Sequence, residues 1–234
     1  MGMTRRRFGR VAAGAAALAL PCGWAAARTV PPGGAIPFTV YRDGDSRLGH
    51  HRLSLRREGE DLVVEVDIQF RVEVAFITAF RYSHRNREVW RGGRIVELET
   101  VTNDDGDRYW VRGAATPGGF AVESSTAGAF TAPPGIVTTS YWNMDIVDAA
   151  VLLDTQRGLL MDVRVDRTGE ETIRAAGRDV AARRYAINIL TNKPGPTERI
   201  DIWFGPDDAW AKLAFDAKGS RIDYVLDPPG EVRP

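Results

Sequence analysis

A single cysteine, Cys22, occurs in the 234 residues, so no intramolecular disulfide can hold the chain together. Excess charge of either sign is missing too, since 31 Lys plus Arg balance 31 Asp plus Glu. That balance removes the electrostatic signature of a protein built to bind nucleic acid or an anionic membrane surface. No apolar run approaches the roughly 20 residues that a membrane-spanning helix needs. Also absent are a Gly-x-Ser-x-Gly nucleophile elbow, a phosphate-cradling glycine loop, a dinucleotide fingerprint and a His-Glu-x-x-His metal pair. Histidine is limited to His50, His51 and His84. Neighbours on a strand point to opposite faces, so His50 and His51 cannot readily share one metal and read as a surface or strand-end pair. The sequence thus implies no metal and no cofactor. What is present, 44% hydrophobic and 26% charged residues with 24 Gly and 13 Pro, is the composition of an ordinary globular protein.

The first 27 residues carry an address. Thr4 to Arg10 form a twin-arginine pattern, Val11 to Leu20 are apolar and alanine-rich, and Ala25 to Ala27 are the small residues a signal peptidase reads. Ten apolar residues are too few to span a bilayer. The expectation is a signal peptide cleaved after Ala27, with the twin-arginine export machinery as a partner and the periplasm as destination. Cleavage removes Arg5, Arg6, Arg7 and Arg10 and no acid, so 27 of the 31 bases remain against 31 acids. The exported form, Arg28 to Pro234, is then mildly acidic and free of cysteine.

Beyond the signal the dominant pattern has period two. Leu62, Val64, Val66, Ile68, Phe70, Val72, Val74 and Phe76 alternate with residues that include Glu65, Asp67, Gln69, Arg71 and Glu73. Such alternation describes a strand with one packed and one wet face. Shorter alternations recur at Leu53 and Leu55, Tyr185 to Ile189, Ile200 to Phe204 and Ile222 to Leu226, with turn signals about every dozen residues, from Asp43-Gly44-Asp45 to Lys218-Gly219. The expected fold is all-β: a strongly curved antiparallel sheet or barrel with at most one or two short helices. Met144, Val147 and Val151 have helical spacing, which predicts one such helix over Asn143 to Asp154. Asp145, Asp148 and Asp154 then read as solvated helix-flanking carboxylates. Thr131 to Gly135 is the best linker candidate, yet cutting there leaves two open-edged halves, so 28–234 is expected to be one domain with a sheet that continues across it.

The most informative strand is Phe80 to Arg91. Arg81, Arg85, Arg87 and Arg91 share one face, which must be solvated because unpaired buried charge costs several kcal/mol. Phe80, Tyr82, His84, Asn86, Glu88 and Trp90 therefore turn inward. Two large aromatics beside three polar groups make a poor dry core and a good pocket wall. The candidate ligand-binding residues are Phe70, Phe76, Phe80, Tyr82, His84, Asn86, Glu88, Trp90 and Trp142, the last as part of an aromatic lid or plug at Tyr141-Trp142. The ligand they suit is small and apolar or amphipathic. Two other classes stay open: an exported hydrolase or isomerase using His84 and Glu88 or an Asp near residue 145, and an assembly partner that uses a sheet edge.

Phe80 to Gly106, Ser140 to Asn143, Leu152 to Gly158 and Ile200 to Leu226 together resemble an uncharacterised family of bacterial exported proteins, a domain of unknown function with a twin-arginine signal. The resemblance covers most of the mature chain. It implies export and a β-rich architecture and assigns no active site. A looser similarity, at the level of fold, is to periplasmic lipid-carrier and lipocalin-like half-barrels.

Overall fold

The computed structural model describes residues 34–74, 77–192 and 197–229. The twin-arginine segment, the cleavage site after Ala27 and Phe76 lie outside the described residues. Alternation becomes strand throughout. The elements are β1 (Ala35–Arg42), β2 (Ser46–Glu58), β3 (Asp61–Val74), β4 (Ile77–Arg91), β5 (Arg94–Asp104), β6 (Asp107–Thr116), β7 (Gly119–Ser124) and β8 (Gly128–Ala132). After them come β9 (Val137–Thr138), β10 (Val151–Leu153), β11 (Leu160–Ala175), β12 (Arg178–Ile189), β13 (Arg199–Phe204), β14 (Trp210–Ala217) and β15 (Ser220–Leu226). Helical structure amounts to short 3-10 turns, at Met144–Asp148 and Pro206–Asp208, and no α-helix occurs among the described residues. None of them therefore forms a helix long and apolar enough to cross a membrane.

All fifteen strands belong to one sheet, in the order β8-β7-β6-β5-β4-β3-β2-β1-β15-β14-β13-β12-β11-β10-β9. Continuity comes from the pairing of β1 with β15, in which Phe38 faces Leu226 and Arg42 faces Ile222. The linker does something other than expected. It joins the two edge strands, β8 and β9, through residues 133–136. A connection of that length reaches at most about 18 Å. A sheet this wide can have its edges that close only by curling round on itself, so the curvature is imposed by the chain.

The curled sheet puts one face of every strand inside. On β3, Leu62, Val64, Val66 and Ile68 are buried, and on β2 the matching residues are His51, Leu53 and Leu55. Leu153, Ile146, Phe38, Ile202 and Phe204 complete the inner core. A second, smaller cluster lies on the outer face, where Ile173 and Ala175 of β11 and Ala182 of β12 meet Trp203, Ala211 and Ala214. A register shift between Arg167 and Gly169 bends β11. The hairpin tip then reaches the end of β15, where the Ala176 N–H donates to the Leu226 carbonyl at 2.8 Å. Thr168-Gly169 thus marks a bulge inside a strand, whereas most other turn signals connect strands.

The helix expected over Asn143 to Asp154 is shorter and of a different kind. Asn143 caps a 3-10 turn by accepting from the Asp145 N–H at 3.0 Å, and Ala149 is already extended. Val151 to Leu153 then form β10, pairing with Leu160 to Asp162. β11 pairs with all three residues on one side and β9 with Leu152 and Leu153 on the other, and sheet burial outweighs a weak helical periodicity.

Candidate functional site

Inside the curl lies a cavity of about 630 Å³, walled mainly by β2, β3, β4, β13, β14 and β15. Its apolar surface comes from Leu48, Ile68, Phe70, Phe80, Ile200, Leu213, Phe215, Ile222 and Tyr224. The fourth side is closed by two short crossings of the interior, at Thr139 to Tyr141 and at Thr155 to Arg157. The second is anchored by hydrogen bonds from inward hydroxyls: Thr100 Oγ1 to the Thr155 carbonyl at 2.8 Å, Thr102 Oγ1 to the Gln156 carbonyl at 3.0 Å and Ser124 Oγ to the Gly158 carbonyl at 3.3 Å. Gly158 has φ 71°, and a Cβ there would come within 2.3 Å of the Ser124 side chain, so only glycine fits this crossing. Asp154 begins it. This carboxylate is buried and accepts from the backbone N–H groups of Gln156 at 3.0 Å and Arg157 at 3.2 Å, while burial raises its pKa. The solvated, helix-flanking role expected of Asp154 is corrected: with no helix to flank, it ties a loop from within.

β4 measures depth along the cavity. Its inward residues step down from the mouth, where Phe80 and the β14–β15 turn lie, at roughly 7 Å for every second residue. Phe80, Tyr82, His84 and Asn86 line the cavity, as does Phe70, whose ring stacks on Tyr82 at 5.5 Å. Glu88 and Trp90 lie deeper, in contact with the core and off the cavity wall. Trp142 lies with them, its ring edge-on to Trp90 at 5.3 Å, while its neighbour Tyr141 faces the cavity. The outward arginines are where the charge argument put them. Arg85 is 3.5 Å from Asp67, Arg87 2.9 Å from Glu97 and Arg91 2.6 Å from Asp61, all toward solvent.

Glu88 is fully buried and fully occupied. Its Oε1 accepts from Asn86 Nδ2 at 2.9 Å, and its Oε2 from Trp90 Nε1 at 2.8 Å, Ser140 Oγ at 3.2 Å and Trp142 Nε1 at 3.4 Å. Indole N–H groups can only donate, so this cluster holds an acceptor in place. Side chains of β4 and of the crossing at Ser140 to Trp142 are thereby locked together below the cavity floor.

The two buried histidines differ. His84 Nδ1 lies 2.8 Å from Thr102 Oγ1, whose own proton goes to the Gln156 carbonyl, so Nδ1 is the donor. Its Nε2 faces Thr155 Oγ1 at 3.4 Å. Burial lowers its pKa to about 4. His51 sits one strand beyond, both residues being opposite Ile68. Neither of its ring nitrogens has a hydrogen-bond partner in the protein. It lines the cavity, edge-on to Trp210 at 5.4 Å and Tyr224 at 5.5 Å, and burial lowers its pKa to about 3. Two more buried atoms of the lining lack partners, Tyr82 Oη and Asn86 Oδ1.

His51 corrects the expectation of a surface pair. Only His50 behaves so, its Nε2 lying 2.9 Å from Asp67 on the outer face. The signal was in the alternation, since His51 has the parity of Leu53 and Leu55, both buried. Among the described residues no cluster of His, Cys, Asp or Glu has the geometry to hold a metal ion.

The sequence matches the model of a family described as a domain of unknown function, DUF6134, over residues 38–227, and the chain belongs to that family. No functionally curated protein matches it. Among solved structures it is similar to the crystal structure of a beta-barrel-like protein of the domain of unknown function DUF1849 from Brucella abortus. That likeness has a TM-score of 0.61 and 11% identity, covering 83% of this chain and 95% of the other. It is a likeness of fold.

Proposed function

We propose that this member of the family is an exported binding protein that holds a small, largely apolar molecule inside its curled sheet. Export rests on the twin-arginine pattern at Thr4 to Arg10 and the small residues at Ala25 to Ala27. Binding rests on one observation above the others: a cavity of about 630 Å³ lined mostly by aromatic and aliphatic side chains and carrying a few polar residues. Small-molecule sites have that construction and that size. A protein that needed only stability would fill the space, because an unfilled apolar cavity costs about 24 cal/mol per Å³.

Phe70, Phe80, Tyr82, His84 and Asn86 are the contacts in this reading, and Phe215, Ile222, Tyr224 and His51 join them. Glu88, Trp90 and Trp142 support the floor and set the position of Asn86. A hydrolase or isomerase built on His84 and Glu88 is less well supported. Four strand residues separate their α-carbons by roughly 13 Å, and both Glu88 oxygens are already held by neighbours.

Native mass spectrometry of gently purified mature protein tests the reading. The expected spectrum contains a one-to-one adduct that organic solvent strips. Protein of bare mass that also fails to take up a neutral apolar probe saturably would overturn it.

A further inference from the structure

The polar groups of the cavity specify the end of the ligand that enters first. Every charged side chain on its lining, namely Arg42, Asp104, Asp105, Arg157 and Lys218, belongs to a strand end or loop at the mouth. Arg157 and Asp104 pair there at 3.1 Å, and Lys218 lies 5.4 Å over the Phe80 ring. The deep half carries none. An anionic head group taken to that depth would meet no cation, and an ion buried without a counter-ion is strongly disfavoured.

Neutral hydrogen-bonding capacity is what the deep half offers. His51 keeps two unpartnered ring nitrogens, one a donor and one an acceptor in the neutral ring. Asn86 is oriented by its neighbour: one of its two amide N–H groups donates to Glu88, which fixes the amide so that its unpartnered atom is Oδ1, an acceptor. The carboxylate behind it polarises the amide and makes that oxygen a better acceptor. Tyr82 Oη, two steps nearer the mouth than Asn86, likewise has no partner and can both donate and accept. A ligand that satisfies Asn86 must therefore bring a proton of its own.

We propose that the ligand is an uncharged amphiphile bearing a hydroxyl, bound with that hydroxyl inward against Asn86 and His51 and its apolar body toward Phe70, Phe80 and the mouth. This identification rests on the binding function proposed above and narrows it to a chemical class. Ethers, esters and ketones accept hydrogen bonds and cannot donate one to Asn86 Oδ1. Carboxylates carry charge into the half that has no cation.

Displacement of a neutral solvatochromic dye from the mature protein tests the class. The competitors share one chain length: a straight-chain primary alcohol, its methyl ether, the carboxylate and the ammonium. The alcohol should compete at about tenfold lower concentration than each of the others, the discrimination expected when a buried polar group is left unpaired. His51→Phe removes polar atoms while keeping a ring. In this variant the ether should still compete and the preference for the alcohol should fall several-fold, whereas Tyr82→Phe, altering a side chain beside the apolar body, should leave that preference as it is in the parent. Equal competition by alcohol and ether, or a preference for carboxylate or ammonium, overturns the head-group assignment and leaves apolar binding standing. If the dye does not bind saturably and no competitor binds, the binding function itself falls.

Discussion

The two ends of β4 obey the same alternation and reach opposite outcomes. From Glu88 downward every polar side chain that turns inward finds partners: four donors converge on one carboxylate, and Trp90 and Trp142 close around it. From Asn86 upward the inward polar atoms are only partly met, and Tyr82 Oη and Asn86 Oδ1 are buried without a hydrogen-bond partner. What lies opposite makes the difference. The lower end meets Ser140 and Trp142, which carry hydroxyl and indole donors at the right height. The upper end meets Tyr141 and the crossing at Thr155 to Arg157, which serve His84 and stop short of the rest. Polar residues on the inner face of a curled sheet therefore mark either a sealed network or a binding wall, and the partner segment decides which.

The largest effect should come from breaking the sealed end. Glu88→Leu leaves two indole N–H groups, an amide and a hydroxyl without their acceptor, and is expected to cost about 3 kcal/mol or more. A urea midpoint unchanged from the parent would mean the cluster contributes no stability. The histidines should then separate in sign. His84→Leu takes one of the two partners of Thr155 Oγ1, leaving it Thr139 Oγ1, and removes a donor to Thr102, for an expected loss of about 1 kcal/mol. His51→Phe discards two unpartnered nitrogens among aromatic neighbours and should raise the stability of the unliganded protein by about 1 kcal/mol. Equal losses in both variants would erase the distinction between a satisfied and an unsatisfied ring.

The same pair governs the response to mild acid. Burial holds His84 at about 4 and His51 at about 3, below the 6.5 of the unfolded chain. As pH falls from 6.5 to about 4 the unfolded state takes up protons that the folded state refuses, so stability falls with pH across that window and further, to about 3, for His51. Asp154 opposes this, since burial raises its pKa and its folded form protonates first. Two histidines against one aspartate leave a net loss toward acid. Urea unfolding followed between about pH 7 and about pH 5 should show that slope, and His51→Phe should reduce it by about one proton; an unaltered slope would place the titration elsewhere. The smallest effect belongs to the outer face. Arg85, 76% exposed and 3.5 Å from Asp67, should change stability by less than about 0.5 kcal/mol on replacement by alanine.

Much of this arrangement was legible beforehand. Period two from Leu62 to Phe76 predicts β3, whose Leu62, Val64, Val66 and Ile68 are buried, and the outward arginines turn Tyr82, His84 and Asn86 inward from sequence alone. The limit was partner identity. Whether Glu88 would meet donors depended on Ser140 and Trp142, more than fifty positions away, and no local pattern encodes that contact. Val151 to Leu153 were ambiguous for the same reason, because their two neighbouring strands lie outside the window in which helical spacing is judged. The inward position of His51 is encoded in its parity with Leu53, and adjacency to His50 masks that signal.

The central claim is that the upper end of β4 walls a site for a ligand, and a cavity-blocking variant tests it most directly. Ala217, on β14, lines the cavity near its mouth and is partly buried, so Ala217→Trp should plug the entrance without disturbing the Glu88 cluster. A neutral solvatochromic dye titrated into both proteins should bind the parent saturably at one equivalent. The plugged protein should bind at least about tenfold more weakly at an unchanged urea midpoint. Equal binding by both, or no saturable binding by the parent, would contradict the account.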